Sequence, residues 1–151
     1  MSVCGCPLPV RAIDEIRPES IDGTAIWVLD LKNRPLDSLE RGKVDAANGK
    51  AAFEYVDRAV TLALANTIDA IVTAPLNKEA MNAAGHHYPG HTEILSELAG
   101  GTPVRMMLAN HELRTVLVTI HAPLRQAIEA LHSASILATI RLTHRHLTAT
   151  G

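Results

Sequence analysis

The sequence predicts an α/β fold, a mixed sheet flanked by helices. Three observations carry this. Of the 151 residues 47% are hydrophobic but only 3% aromatic, so the core must be built of Ala, Leu, Ile and Val, as is typical of α/β enzymes rather than β-sandwiches. Short apolar runs at 25–31 and 68–73 flank one clear helical period at 50–66. Two further apolar runs, 104–109 and 115–120, are joined by a link so short that they must lie antiparallel, which makes the sheet mixed.

Taken in order, residues 1–8 read as loop and Val10 to Ile13 as a short strand. Asp14 to Gly23 is a charged connection carrying Pro18. Ala25 to Leu31 (AIWVLDL) is apolar on both faces, the mark of a strand covered on both sides. Asn33 to Gly49 is polar, broken by Pro35 and Gly42, and reads as loop. Lys50 to Asn66 is the clearest helix, with Phe53, Val56, Val60, Ala63 and Leu64 at helical spacing opposite Glu54, Asp57 and Arg58. It is expected to run straight into a strand at Ile68 to Thr73. Asn77 to Ala84 makes a short helix stopped by Gly85, and Thr92 to Ala99 another closed by Gly100 and Gly101. Pro123 suits the first turn of a helix reaching about His132. Ser133 is expected to cap a last helix to about Leu147, with Ile136, Leu137, Ile140 and Leu147 on its apolar side. The chain then stops after a helix, where an α/β fold wants another strand; 1–151 therefore reads as a single partial α/β unit, the middle portion of a longer chain.

Several function classes drop out. A net charge of −2 and a pI near 6.4 leave no basic footprint for nucleic acid. No apolar run approaches the ~20 residues of a membrane helix, and the start lacks the layout of a signal peptide. Cys4 and Cys6 are too close for an unstrained mutual disulfide; a reducing cytoplasm is the simple expectation, and a lone pair falls short of the ligand set a metal needs. Gly-x-Gly-x-x-Gly, P-loop and Gly-x-Ser-x-Gly patterns are all missing.

The chemistry concentrates in Ile71 to Glu93. An apolar run ends in Thr73-Ala74-Pro75, Lys78 follows on a short helix, and Gly90 precedes His91 and Thr92 at a second helix start. A helix N-terminus offers unpaired N–H groups and a partial positive charge. An imidazole, a hydroxyl and an ammonium there suit a phosphate or carboxylate. The bland alternative makes Thr92 a cap, His91 a turn filler and Lys78 a solvated charge. Glu93 suits the helix dipole and is given no catalytic role. His121, at the end of an apolar run and before a proline, is better placed for a metal than His111 in a hairpin, but a metal needs three or more ligands. His86 and His87 diverge as neighbours, and His144 and His146 sit on a terminal helix.

The run Asp69-Ala-Ile-Val-Thr-Ala-Pro-Leu-Asn-Lys78, then Ala84-Gly85, Tyr88-Pro-Gly-His-Thr-Glu93, Met106-Met-Leu and Leu117-Val-Thr-Ile-His121-Ala-Pro-Leu-Arg125 closely resembles the 4-hydroxythreonine-4-phosphate dehydrogenase family. The likeness extends from about Pro7 to the end. It implies a partial isocitrate/isopropylmalate dehydrogenase-like fold, which binds NAD without the usual fingerprint. It implies oxidation and decarboxylation of 4-phosphooxy-L-threonine towards pyridoxal phosphate, with a divalent metal (zinc, magnesium or cobalt) polarising the reacting oxygen. His91 and Thr92 match the family's substrate-binding pair, His121 its first metal-binding histidine; Lys78 joins the substrate side. Members are homodimers with sites shared between subunits. The same wording resembles the branch acting on 4-phospho-D-threonate or D-erythronate. The family's opening glycine- and proline-rich motif and the half bearing its other metal histidines have no counterpart here. A non-catalytic remnant that binds a phosphorylated acid or a full-length partner is therefore the competing expectation.

Overall fold

The computed structural model describes residues 7–17, 21–35, 40 and 42–150, so Cys4 and Cys6 lie outside the described residues. The chain divides into two compact units, residues 1–101 and 102–151, each described by itself.

In the first unit, β1 (Val10–Ile13) and β2 (Ile26–Leu29) pair in parallel, Val10 opposite Ile26 through Ile13 opposite Leu29. Helix α1 (Ala46–Leu64) begins four residues before the expected Lys50. Asp45 makes the difference, since its carboxylate accepts from the Ala47 N–H at 2.9 Å and caps the first turn. Gly49 thus falls inside the helix, where a glycine reads as a breaker, but it is buried against α2 (Lys78–Ala83). A Cβ there would stand 2.1 Å from the Ala80 carbonyl oxygen. Only glycine lets the two backbones come this close.

Three helices of this unit end alike. After α1, Asn66 takes a left-handed φ of 56° and the Thr67 N–H bonds to the Leu62 carbonyl. After α2, Gly85 (φ 88°) is followed by His86 bonded to Met81. After α3 (His91–Leu98), Gly100 (φ 77°) is followed by Gly101 bonded to Ser96. Each is the wrapped ending that satisfies otherwise orphaned carbonyls. It turns the chain away from the helix axis, so α1 does not continue into a strand. The expected strand at Ile68 to Thr73 is absent as well. The stretch is apolar but finds no ladder partner among the described residues, and Val72 is 97% exposed. The core of the unit is Val56, Met81 and Ile94, wrapped by Phe53, Leu76, Tyr88, Leu95 and Leu98.

In the second unit, β3 (Met107–Ala109) and β4 (Arg114–Val116) form the expected antiparallel pair, shorter than the apolar runs. Asn110 closes their turn, its side-chain oxygen accepting from the Glu112 and Leu113 N–H groups. The single mixed sheet expected from the sequence is instead two separate two-stranded ribbons among the described residues, one parallel and one antiparallel. Helix α4 (Leu124–Ala130) starts behind Pro123. Helix α5 (Ser133–Thr150) starts where expected, but the hydroxyl engaged at its start is that of Ser135, which donates to the His132 carbonyl and receives the His132 N–H. The buried residue of α5 is Thr139, bonded to the Arg105 guanidinium at 2.8 Å. The predicted apolar side stays largely open: Ile136, Leu137 and Ile140 are 40–58% exposed. Periodicity defines a face, but burial requires a partner for it. Among the described residues, no helix is long and apolar enough to cross a membrane.

Candidate functional site

The site is built by the two short helices of the first unit. Asn77 caps α2 by accepting the Ala80 N–H at 2.8 Å, which fixes Lys78 as the first helical residue with its ammonium exposed. The wrapped ending at Gly85 returns the chain through His86, His87 and Tyr88 to Gly90. Gly90, fully extended, is the N-cap of α3 and contributes no side-chain cap. The helix therefore starts at His91, one residue before the expected Thr92, and His91, Thr92 and Glu93 fill its first turn.

Between α2 and α3 lies a pocket of about 250 Å³ lined by Leu76, Lys78, Met81, Tyr88, Gly90 and His91, among others. This is slightly below the usual span for small-molecule sites and suits a small anionic group. The structure thus brings Lys78 and His91 to one pocket. Thr92 sits on the same helical turn, half-buried, but outside the pocket lining. His91 Nε2 is buried without a hydrogen-bond partner, and so is Glu93 Oε2. Buried polar atoms are nearly always paired, so an orphan calls for an explanation.

Tyr88, which lines the pocket, belongs to an aromatic stack that sequence reasoning missed. Phe53 of α1 stacks on His86 at 3.8 Å between ring centroids and on Tyr88 at 5.9 Å. Tyr88 in turn donates its hydroxyl to Glu97 Oε1 at 3.0 Å. That bond, with some desolvation and the carboxylate's charge, pushes the Tyr88 phenol above its ordinary value. The signal available in the sequence was the Tyr88-Pro89-Gly90 turn directly before His91. It marks a loop but not which way the ring points.

His121 belongs to the second unit. It is exposed on the bend between β4 and α4, with a left-handed φ of 54°. Among the described residues no group of three or more His, Cys, Asp and Glu side chains converges as a metal site requires. His121 is a single donor, and the described residues do not by themselves fit a divalent cation.

The family described as "Pyridoxal phosphate biosynthetic protein PdxA" matches residues 3–151. The chain belongs to this family. A 4-hydroxythreonine-4-phosphate dehydrogenase of Beijerinckia indica is 52% identical over 110 residues, 73% of this chain and 33% of that protein. A D-threonate 4-phosphate dehydrogenase of Cupriavidus necator is 43% identical over 147 residues, 97% of this chain and 44% of that protein. Among solved structures, a 4-hydroxythreonine-4-phosphate dehydrogenase of Klebsiella pneumoniae superposes with a TM-score of 0.86 at 38% identity, over 95% of this chain and 44% of that one. The chain spans less than half the length of these relatives.

Proposed function

We propose that this chain forms the phosphate-gripping part of an NAD- and metal-dependent dehydrogenase that oxidises and decarboxylates 4-phosphooxy-L-threonine on the route to pyridoxal phosphate. The observation that carries the reading is His91, which lines a small pocket together with Lys78 and whose buried Nε2 has no hydrogen-bond partner. A phosphate oxygen is the partner this nitrogen wants, and the ammonium of Lys78 and the N–H groups opening α3 add the positive field that holds it. Thr92, on the same turn, is the second member of the substrate pair. His121 supplies one donor to the divalent cation, the other donors and the NAD contacts coming from parts of the longer protein. The described residues do not by themselves complete a site for the cation, so the chemistry that follows from this chain stops at holding and orienting the substrate. The isocitrate/isopropylmalate dehydrogenase-like fold, the homodimer and the cytoplasmic setting belong to the same proposal.

A second reading, 4-phospho-D-threonate or D-erythronate as substrate, is favoured by the Cupriavidus relative, which aligns over nearly the whole chain. The grip serves either acid, since both carry a phosphate. The test of the grip is a titration of the chain, with its histidines labelled for NMR, by D-erythronate 4-phosphate and by unphosphorylated D-erythronate. The expected result is a shift of the His91 ring signals by the phosphorylated acid alone. Equal shifts with both acids, or an unmoved His91, would sink the phosphate assignment.

A further inference from the structure

The pocket that holds Lys78 and His91 is otherwise walled largely by hydrocarbon. Leu76, Met81, Tyr88 and Ile94 line it as well. Met81 and Ile94 belong to the core of the unit, 3% and 1% exposed, and Leu76 and Tyr88 pack against that core. The wall is therefore held by close packing rather than left to loose surface side chains. Tyr88 is fixed twice, by its stack on Phe53 at 5.9 Å and by the hydroxyl it donates to Glu97. Glu97 is not among the lining residues, so the Tyr88 proton is committed elsewhere and the ring is what it offers the pocket. The polar side chains left to meet a ligand are Lys78 and His91.

A bare phosphate suits such a pocket poorly. It carries oxygen on every side, and an oxygen buried against hydrocarbon without a hydrogen bond costs free energy. A phosphate monoester carries carbon on one side. Its free oxygens can face the ammonium and the imidazole while the carbon next to its ester oxygen meets the apolar wall. We propose that Leu76, Met81, Tyr88 and Ile94 are specificity-determining: they take the carbon of a phosphate monoester, so the pocket selects short organic phosphates over inorganic phosphate. Its volume of about 250 Å³ leaves room for a phosphate with a short chain. This rests on the phosphate reading of the pocket, and the test separates the two.

Inorganic phosphate, methyl phosphate and ethyl phosphate serve as probes, at one ionic strength and at a pH where each is a dianion. Their binding to the full chain and to its Leu76→Asn variant is measured by NMR titration. Affinity for the wild-type chain is expected to rise about fourfold with each carbon, the scale of one buried methylene. Leu76→Asn, close in size but polar, should cut that gain to about twofold or less while leaving inorganic phosphate within about twofold, because an amide does not reward a carbon laid against it. Equal affinity for the three probes, or a preference for inorganic phosphate, in the wild-type chain would overturn the proposal and leave the phosphate grip standing. A folded Leu76→Asn chain that keeps the full gain per carbon would overturn it as well. The wild-type series needs no variant, so it decides alone where Leu76→Asn does not fold. Failure of all three probes to bind the wild-type chain would overturn the phosphate reading and this proposal with it.

Discussion

His91 carries a cost to the fold that the proposed anion would relieve. A buried polar atom with no partner destabilises by about 1–3 kcal/mol, and His91 Nε2 is such an atom. Replacing His91 by Leu, apolar and of similar bulk, should therefore raise stability by about 1 kcal/mol in urea unfolding and weaken binding of a phosphorylated acid at least tenfold. A variant that loses stability would mean the imidazole has a partner in the folded chain and the pocket argument fails. Tyr88 supplies a second residue-scale test. Its phenol is held above the ordinary value because its hydroxyl donates to Glu97. A raised folded-state value means the folded chain keeps this proton longer than the unfolded one does. The contribution is thus fully present below about pH 10 and is lost as pH climbs through the raised value. In a Tyr55→Phe background, where Tyr88 alone titrates, the phenolate absorbance should rise at higher pH than in free tyrosine. Glu97→Gln should move it back down. That Lys78 and His91 stand at the starts of neighbouring helices was legible in the sequence, because the cap and turn residues before them announce a helix start. The stacking of Tyr88 on Phe53 and its bond to Glu97 were not, because they depend on side-chain direction, which is not written in spacing.

At the scale of elements, the position of Lys78 depends on how α2 lies on α1. The contact is made through Gly49, whose missing side chain leaves room for the Ala80 backbone. Gly49→Ala would place a methyl 2.1 Å from the Ala80 oxygen and 2.2 Å from its carbonyl carbon, and neither backbone atom can rotate away. The helices must separate, at a cost of about 1–3 kcal/mol or more, the usual scale for overpacking. The control is Gly23→Ala, which meets nothing within 4 Å and should stay within about 0.5 kcal/mol. Equal unfolding midpoints for the two variants would contradict the close helix contact. The helices themselves were readable to within a few residues; the first three stop at glycine or asparagine in left-handed conformation. Gly49 was placed at the end of a polar loop, whereas it lies inside α1 and serves packing. Ile68 to Thr73 misled in the opposite direction. Its apolar run is what a strand would show, but a strand exists only through its neighbours, and no local pattern encodes whether they are present.

For the whole molecule, the two halves of the proposed chemistry have very different support in this chain. The grip has a pocket, a cation and an orphaned imidazole in the first unit. The metal side has His121, an exposed single donor, with no converging set of three among the described residues. One imidazole binds a divalent cation weakly, and each ligand lacking from a site lowers affinity further. Cobalt(II) is therefore expected to bind the 151-residue chain about as weakly as it binds an isolated histidine side chain, and His121→Ala should change that little. Turnover then has no means to proceed, because holding a phosphorylated acid does not by itself polarise its hydroxyl or accept a hydride. We expect the purified chain, supplied with 4-phosphooxy-L-threonine, NAD and a divalent cation, to give no NADH above the protein-free rate while still binding the acid. Measurable NADH formation that His91→Ala abolishes would show that the chain alone assembles a complete site, and would overturn the division of labour argued here.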